Sequence, residues 1–176
     1  MILFEDNFEH VSYHLFDQMT KVIVVLRHAQ SAGKQSGQRD YDRALTPQGQ
    51  ATAKALGQKL KQQNYNFQFI LSSSSTRTRQ TVELINETLQ LSTEKILFKP
   101  ELYEAMMVHW LDHIYELPDD INHVLLVGHN PWLSILASTF AGHIRDLGPS
   151  ELIGFEFKSE TWREIGDRGQ EIMNIK

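Results

Sequence analysis

Cysteine is absent from the 176-residue chain, which removes disulfides, thiolate metal sites and every cysteine-nucleophile mechanism. The absence leaves the redox compartment open. No apolar run approaches the length of a membrane span, and no Lys/Arg block occurs in a chain of net charge −5. Both points argue against a membrane or nucleic-acid partner. The N-terminus carries Glu5, Asp6 and Glu9 where a signal peptide has a basic region, so a cytoplasmic location is the default expectation. Internal repeats are missing, as are a Walker-type Gly-x-x-x-x-Gly-Lys and a Gly-x-Ser-x-Gly elbow. The only biased stretch is Ser72-Ser73-Ser74-Ser75, too short for a linker.

What remains is the composition of one ordinary globular domain, 41% apolar and 22% charged. Residues 1–18 read as an extension: Phe4, Phe8, Val11 and Leu15 share a helical face with acidic groups between them, which predicts a docked amphipathic helix. Met19-Thr20-Lys21 would itself make a natural start, so 19–176 is taken as the domain. Within it, three segments share one order of apolar strand, polar tip and helix. Val22 to Arg27 precedes a helix over 46–63, with Thr46 as N-cap and Pro47 at N1. Phe67 to Leu71 leads through the serines into a helix over 76–90, and His123 to Val127 leads through Gly128-His129-Asn130-Pro131 into an apolar helix ending near 140. A short strand at 95–98 and a helix at 105–117 lie between. Leu152 to Phe157, a turn at Lys158 to Thr161 and Trp162 to Ile165 read as a hairpin. The expected fold is a three-layer α/β/α sandwich with a mostly parallel central sheet and an antiparallel C-terminal strand.

Ligands of such sheets bind at the carboxyl ends of the strands. There the chain offers Arg27 and His28, then Arg77 in the first turn of a helix, then His129. Helix N-termini already favour negative charge, and guanidinium groups favour phosphate. Two arginines and two histidines converging from three strand ends make a site for a dianion. In Gly128-His129-Asn130-Pro131 the glycine is read as allowing a sharp exit from the strand.

Arg27-His28-Ala29, Leu45-Thr46-x-x-Gly49, Ser72-Ser73-x-x-x-Arg77-x-x-x-Thr81 and Gly128-His129-Asn130-Pro131 together resemble the histidine phosphatase superfamily, the phosphoglycerate-mutase-like fold, over about residues 20–165. Short length and Arg43-Ala44-Leu45-Thr46 are most similar to SixA-type protein phosphohistidine phosphatases. The resemblance implies that His28 attacks phosphorus and forms a phosphohistidine intermediate. Arg27, Arg77 and His129 would hold the phosphoryl oxygens, with guanidinium and imidazolium donors in place of Mg²⁺, so neither metal nor cofactor is expected. The family's proton donor follows the second helix in a Leu-x-Glu setting. Leu102-Tyr103-Glu104 makes Glu104 the candidate, with Glu101 as the weaker choice. Ala29 replaces a frequent glycine, and Ser74 stands where the family usually has proline, which predicts a looser loop into Arg77. Lys34, where mutase-type members often carry Asn, reads as a solvated loop residue, and Arg79 as structural.

Asp40-Tyr41-Asp42 lacks the preceding strand of a haloacid-dehalogenase motif and reads as a loop with a structural aspartate. His109/His113 and His10/His14 have a Zn²⁺-compatible spacing but no third ligand nearby. Trp132 reads as a core residue that could reach the pocket rim. The expected activity is that of a metal-independent phosphatase, with a phosphohistidine-bearing protein as first-choice substrate, because a short chain has no room for a lid. The alternatives are a phosphatase of sugar or nucleotide phosphates and, in a different class, a non-catalytic phosphate-binding module.

Overall fold

Val22 to Leu26 are buried on both faces of β1 (Thr20–Arg27), which places this strand inside the sheet. In a computed structural model, which describes residues 20–176, β1 pairs in parallel with β4 (His123–Gly128) and antiparallel with β5 (Leu152–Lys158). β2 (Phe69–Ser73) lies parallel to β4 and to β3 (Ile96–Lys99), and β6 (Gln170–Ile175) is antiparallel to β5. The order is β3-β2-β4-β1-β5-β6. The helix expected over 1–18, with His10 and His14, lies outside the described residues.

Alternation along β1 separates two cores. Ile23 and Val25 join Trp110 and Ile114 of α3 (Met107–Tyr115) and Leu133, Leu136 and Phe140 of α4 (Trp132–Ala141). Val22, Val24 and Leu26 instead join Leu56 and Leu60 of α1 (Pro47–Gln62) and Val82 and Ile85 of α2 (Thr76–Leu89). Two helices therefore cover each face, giving the three-layer sandwich. Each such side chain contributes about 1.5–3 kcal/mol by leaving water.

Helix α1 begins as its sequence predicts: the Thr46 hydroxyl accepts from the Gly49 N–H at 2.9 Å, and Pro47 occupies the first turn. Gly49 is needed for a second reason. A Cβ there would stand 2.1 Å from the Gln30 carbonyl oxygen, which also accepts from the Thr46 N–H at 3.0 Å. The loop leaving β1 is thereby pinned against the start of α1.

The C-terminal hairpin differs from expectation in its second strand. Trp162–Glu164 is a short 3-10 turn, and β6 pairs with β5 in its place. Trp162 is fully buried, and its indole N–H donates to the carbonyls of Ile121 (2.9 Å) and Pro118 (3.2 Å). It plugs the bottom of the core. The strand pattern belongs to Met173 and Ile175, which face inward while Ile172 and Asn174 do not. The antiparallel element is therefore β5, flanked by the edge strand β6.

Candidate active site

His28 follows β1 directly, and its backbone is fixed on both sides. Its N–H donates to the Gly128 carbonyl (3.1 Å), and the Ala29 N–H donates to the Thr81 hydroxyl oxygen (3.0 Å). The ring is equally constrained. Nδ1 lies 2.7 Å from the Ala29 carbonyl oxygen, and Nε2 lies 3.2 Å from the Nε–H of Arg77. A carbonyl can only accept and a guanidinium can only donate. The tautomer assigned by these partners thus carries its proton on Nδ1 and a lone pair on Nε2. Burial pushes the His28 pKa down to about 4, assisted by the charges of Arg77, Arg27 and Arg43. The ring is neutral at ordinary pH, with its Nε2 lone pair facing the Arg77 N–H.

Arg77 opens into the site from the first turn of α2 and is itself buried. Its Nη1 donates to the Asp40 carbonyl (2.7 Å) and its Nη2 to Asp40 Oδ2 (3.0 Å). Asp40 belongs to the 3-10 turn Asp40–Asp42, and its carboxylate gathers two further donors. Tyr103 Oη donates to Oδ2 at 2.6 Å and Arg43 Nε to Oδ1 at 2.7 Å. The Tyr103 hydroxyl, then the Arg77 and Arg43 charges, hold the Asp40 carboxyl down at about 2. Asp40 is the structural aspartate that the sequence indicates, yet it stands on the site's wall. No sequence signal reveals its pairing with residues 37 and 63 positions away.

His129 ends the third strand–tip unit. Its Nε2 lies 2.9 Å from the Ser73 hydroxyl and 3.4 Å from that of Ser75. Its ring centroid is 5.1 Å from that of His28, and the Tyr103 ring meets it edge-on at 5.4 Å. Burial, then the neighbouring His28 and Arg77, push its pKa down to about 2. His129 is therefore a neutral ring here and not the imidazolium expected. Its Nδ1 and the Nε of Arg27 are buried and, among the described residues, have no hydrogen-bond partner. Buried polar groups are rarely left so; the two belong to the residue preceding His28 and to the ring packed against it, and their pattern fits an oxyanion. Arg27 is anchored from its other end, with Nη1 donating to the Leu147 carbonyl at 2.8 Å.

Gly128 owes its place to packing and not to a sharp turn. A Cβ there would stand 2.6 Å from the Trp110 ring, and its φ is not in the left-handed region. Ser74 also differs from expectation. Its hydroxyl meets Tyr41 Oη at 2.6 Å, and its carbonyl accepts from Tyr41 Oη (2.8 Å) and Arg79 Nε (3.0 Å). These bonds tie the segment down where a proline would have stiffened it.

A cavity of about 240 Å³ opens beside this cluster, with Asp40, Arg77, Tyr103, Glu104, His129 and Trp132 among its lining residues. His28 adjoins it through Arg77 and His129. Glu104 is exposed on this wall, whereas Glu101 sits 3.6 Å from both Lys99 and His113. Trp132 is half-exposed on the wall and not in the core; Trp110 and Trp162 fill that role. Lys34 is exposed in the loop after β1. Arg79 packs 4.3 Å over the Phe98 ring. His109 Nδ1 accepts from the Met106 N–H at 3.2 Å, which spends that nitrogen locally.

The family model of the histidine phosphatase superfamily (branch 1) matches residues 23–117. An uncharacterized chloroplastic protein of Arabidopsis thaliana is 32% identical over 155 residues, covering 83% of this chain and 71% of its own. Serine/threonine-protein phosphatase PGAM5 of Xenopus tropicalis is 32% identical over 112 residues, 60% of this chain and 39% of its own. Among solved structures, a SixA-named protein of Agrobacterium tumefaciens superposes with a TM-score of 0.77 at 24% identity, over 89% of this chain and 97% of its own. The protein histidine phosphatase SixA in complex with tungstate gives 0.75 at 19% identity, over 88% and 96%. The two superpositions concern the fold alone.

Proposed function

The chain belongs to the histidine phosphatase superfamily, and from that premise we propose a metal-independent phosphatase that works through a phosphohistidine on His28 and acts on phosphohistidine in proteins. The observation that carries the reading is the state of His28: Nδ1 bonded to the Ala29 carbonyl and Nε2 facing Arg77 as a lone pair. The Nε2 pair forms the N–P bond as the bond to the leaving group breaks, and water then displaces His28 from phosphorus in a second in-line step. Arg77, Arg27 and the N–H of His129 stabilise charge on the equatorial oxygens. Glu104 lines the same cavity as Arg77, Asp40 and His129 and, in its protonated form, is the proton donor to the leaving group. A cation in this place would need anionic ligands. The nearest carboxylate, Asp40, already spends its oxygens on Arg77, Arg43 and Tyr103.

The cavity beside Arg77 and His129 opens to solvent, with Glu104 exposed and Trp132 half-exposed on its wall, which supports a phosphorylated side chain presented on another protein's surface. No helix among the described residues is long and apolar enough to cross a membrane. The test is to trap the intermediate: brief reaction with a phosphohistidine protein or an aryl phosphate, alkaline quench, then peptide mass spectrometry. An acid-labile phosphoryl group on the His28 peptide is expected. Turnover without it would overturn the covalent mechanism.

A further inference from the structure

A guanidinium presents two forks of N–H groups, one at its far end and one on its Nε side, and only one can face a given partner. In Arg77 the far end is taken by Asp40, whose backbone carbonyl and Oδ2 receive Nη1 and Nη2 at 2.7 and 3.0 Å. The Nε side is thereby aimed at His28 Nε2, 3.2 Å away. Asp40 is itself held from two directions by Arg43 and Tyr103. We propose that Asp40 is a positioning residue that fixes Arg77 by its far end, so that the Nε side faces the phosphoryl group entering between Arg77 and His28. This inference rests on the phosphatase reading above.

Three features support a positioning role over a simple surface ion pair. Arg77 is buried, so its orientation is set by partners and not by solvent. The Asp40 pairing is two-pronged and includes a backbone oxygen, which fixes direction as well as distance. The same Oδ2 receives Tyr103 Oη, and the Tyr103 ring stands edge-on to His129. One carboxylate thus sets a phosphate-facing guanidinium and a ring packed on the second histidine. The carboxylate also stands near the anion site, where it repels a dianion in the ground state. Its contribution must therefore come from geometry realised in the transition state.

Asp40→Asn keeps the backbone carbonyl and the side-chain size but loses the charge that holds both arginines. Turnover of an aryl phosphate, inhibition by vanadate and by sulfate, and thermal unfolding are measured on the parent and the variant. Misplacing a catalytic group by about 1 Å can cost roughly a hundredfold, so kcat should fall at least about tenfold. Vanadate, which imitates the five-coordinate transition state, should weaken by a similar factor, while sulfate should stay within about threefold of the parent, because the arginine charges remain and the ground-state repulsion by Asp40 is removed. The melting temperature should not move enough to account for the loss. Arg43→Lys preserves the positive charge but removes the directed bond to Asp40 Oδ1, and should give the same pattern in smaller measure. A variant kcat close to the parent's, or equal weakening of sulfate and vanadate, would overturn the role of Asp40 while leaving the phosphatase reading intact. A parent that neither turns over phosphate esters or phosphohistidine nor forms the phosphoenzyme would remove both together.

Discussion

Acidification should unfold this protein through its two site histidines, and the size of the effect follows from their burial. Unfolded, both rings take the ordinary histidine pKa near 6.5. Folded, His28 titrates at about 4 and His129 at about 2. Between pH 6.5 and 4.5 the unfolded chain binds a proton on each ring that the folded protein refuses, so stability falls with pH across that window. Each pKa unit corresponds to about 1.4 kcal/mol, and integrating from pH 6.5 to 4.5 gives a loss of about 2 kcal/mol per ring. Asp40 acts in the same sense but in a lower window. Its lowered carboxyl contributes stability above pH 3.8, lost only as pH falls through about 2. The two histidines therefore account for about 4 kcal/mol of the drop, much of the stability of an ordinary domain. Urea unfolding of the parent and of His129→Asn at pH 6.5 and 4.5 measures it. The variant should lose about 2 kcal/mol less than the parent over this interval. Equal losses in the two proteins would refute the neutral, desolvated state assigned to His129.

The remaining predictions concern chemistry. Exhaustive treatment with chelator should leave turnover unchanged, with vanadate competing for the site; loss of activity restored by Mg²⁺ or Zn²⁺ would contradict the proposal that Arg27 and Arg77 hold the phosphoryl group without a metal. Glu104→Gln should slow alkyl phosphates by roughly a hundredfold or more, because an alkoxide needs a proton to leave, and should largely spare phosphohistidine, whose ring can be protonated before attack. Equal losses on both substrates, measured as kcat/KM, would sink the leaving-group argument, and negligible turnover of phosphohistidine protein beside strong turnover of one metabolite would favour the small-molecule reading.

The parts of this molecule legible in its sequence are those whose cause is local. The apolar run Val22 to Leu26, the cap at Thr46-Pro47 and the alternation of strands with helices depend on neighbours within a few residues. So does the placing of Arg27, His28, Arg77 and His129 at strand tips or first helical turns. The misread elements have distant causes. Trp162 looked like a strand residue until its indole met the carbonyls of Pro118 and Ile121, whereas Met173 and Ile175 carried the inward period-two signal all along. Gly128 looked like a turn residue because the Trp110 ring that requires it sits eighteen positions earlier. Asp40 is the sharpest case: turn chemistry explains where it sits, but only the fold brings it to Arg77, Arg43 and Tyr103. The residues that would touch phosphate stand at places that sheet topology dictates, and so can be found by pattern. Those that would orient them come from whichever loop passes near, at no fixed spacing. A site of this kind exposes its reacting groups to sequence reading and hides its supports, and the Asp40→Asn comparison of vanadate with sulfate measures how much of the chemistry lies in the hidden part.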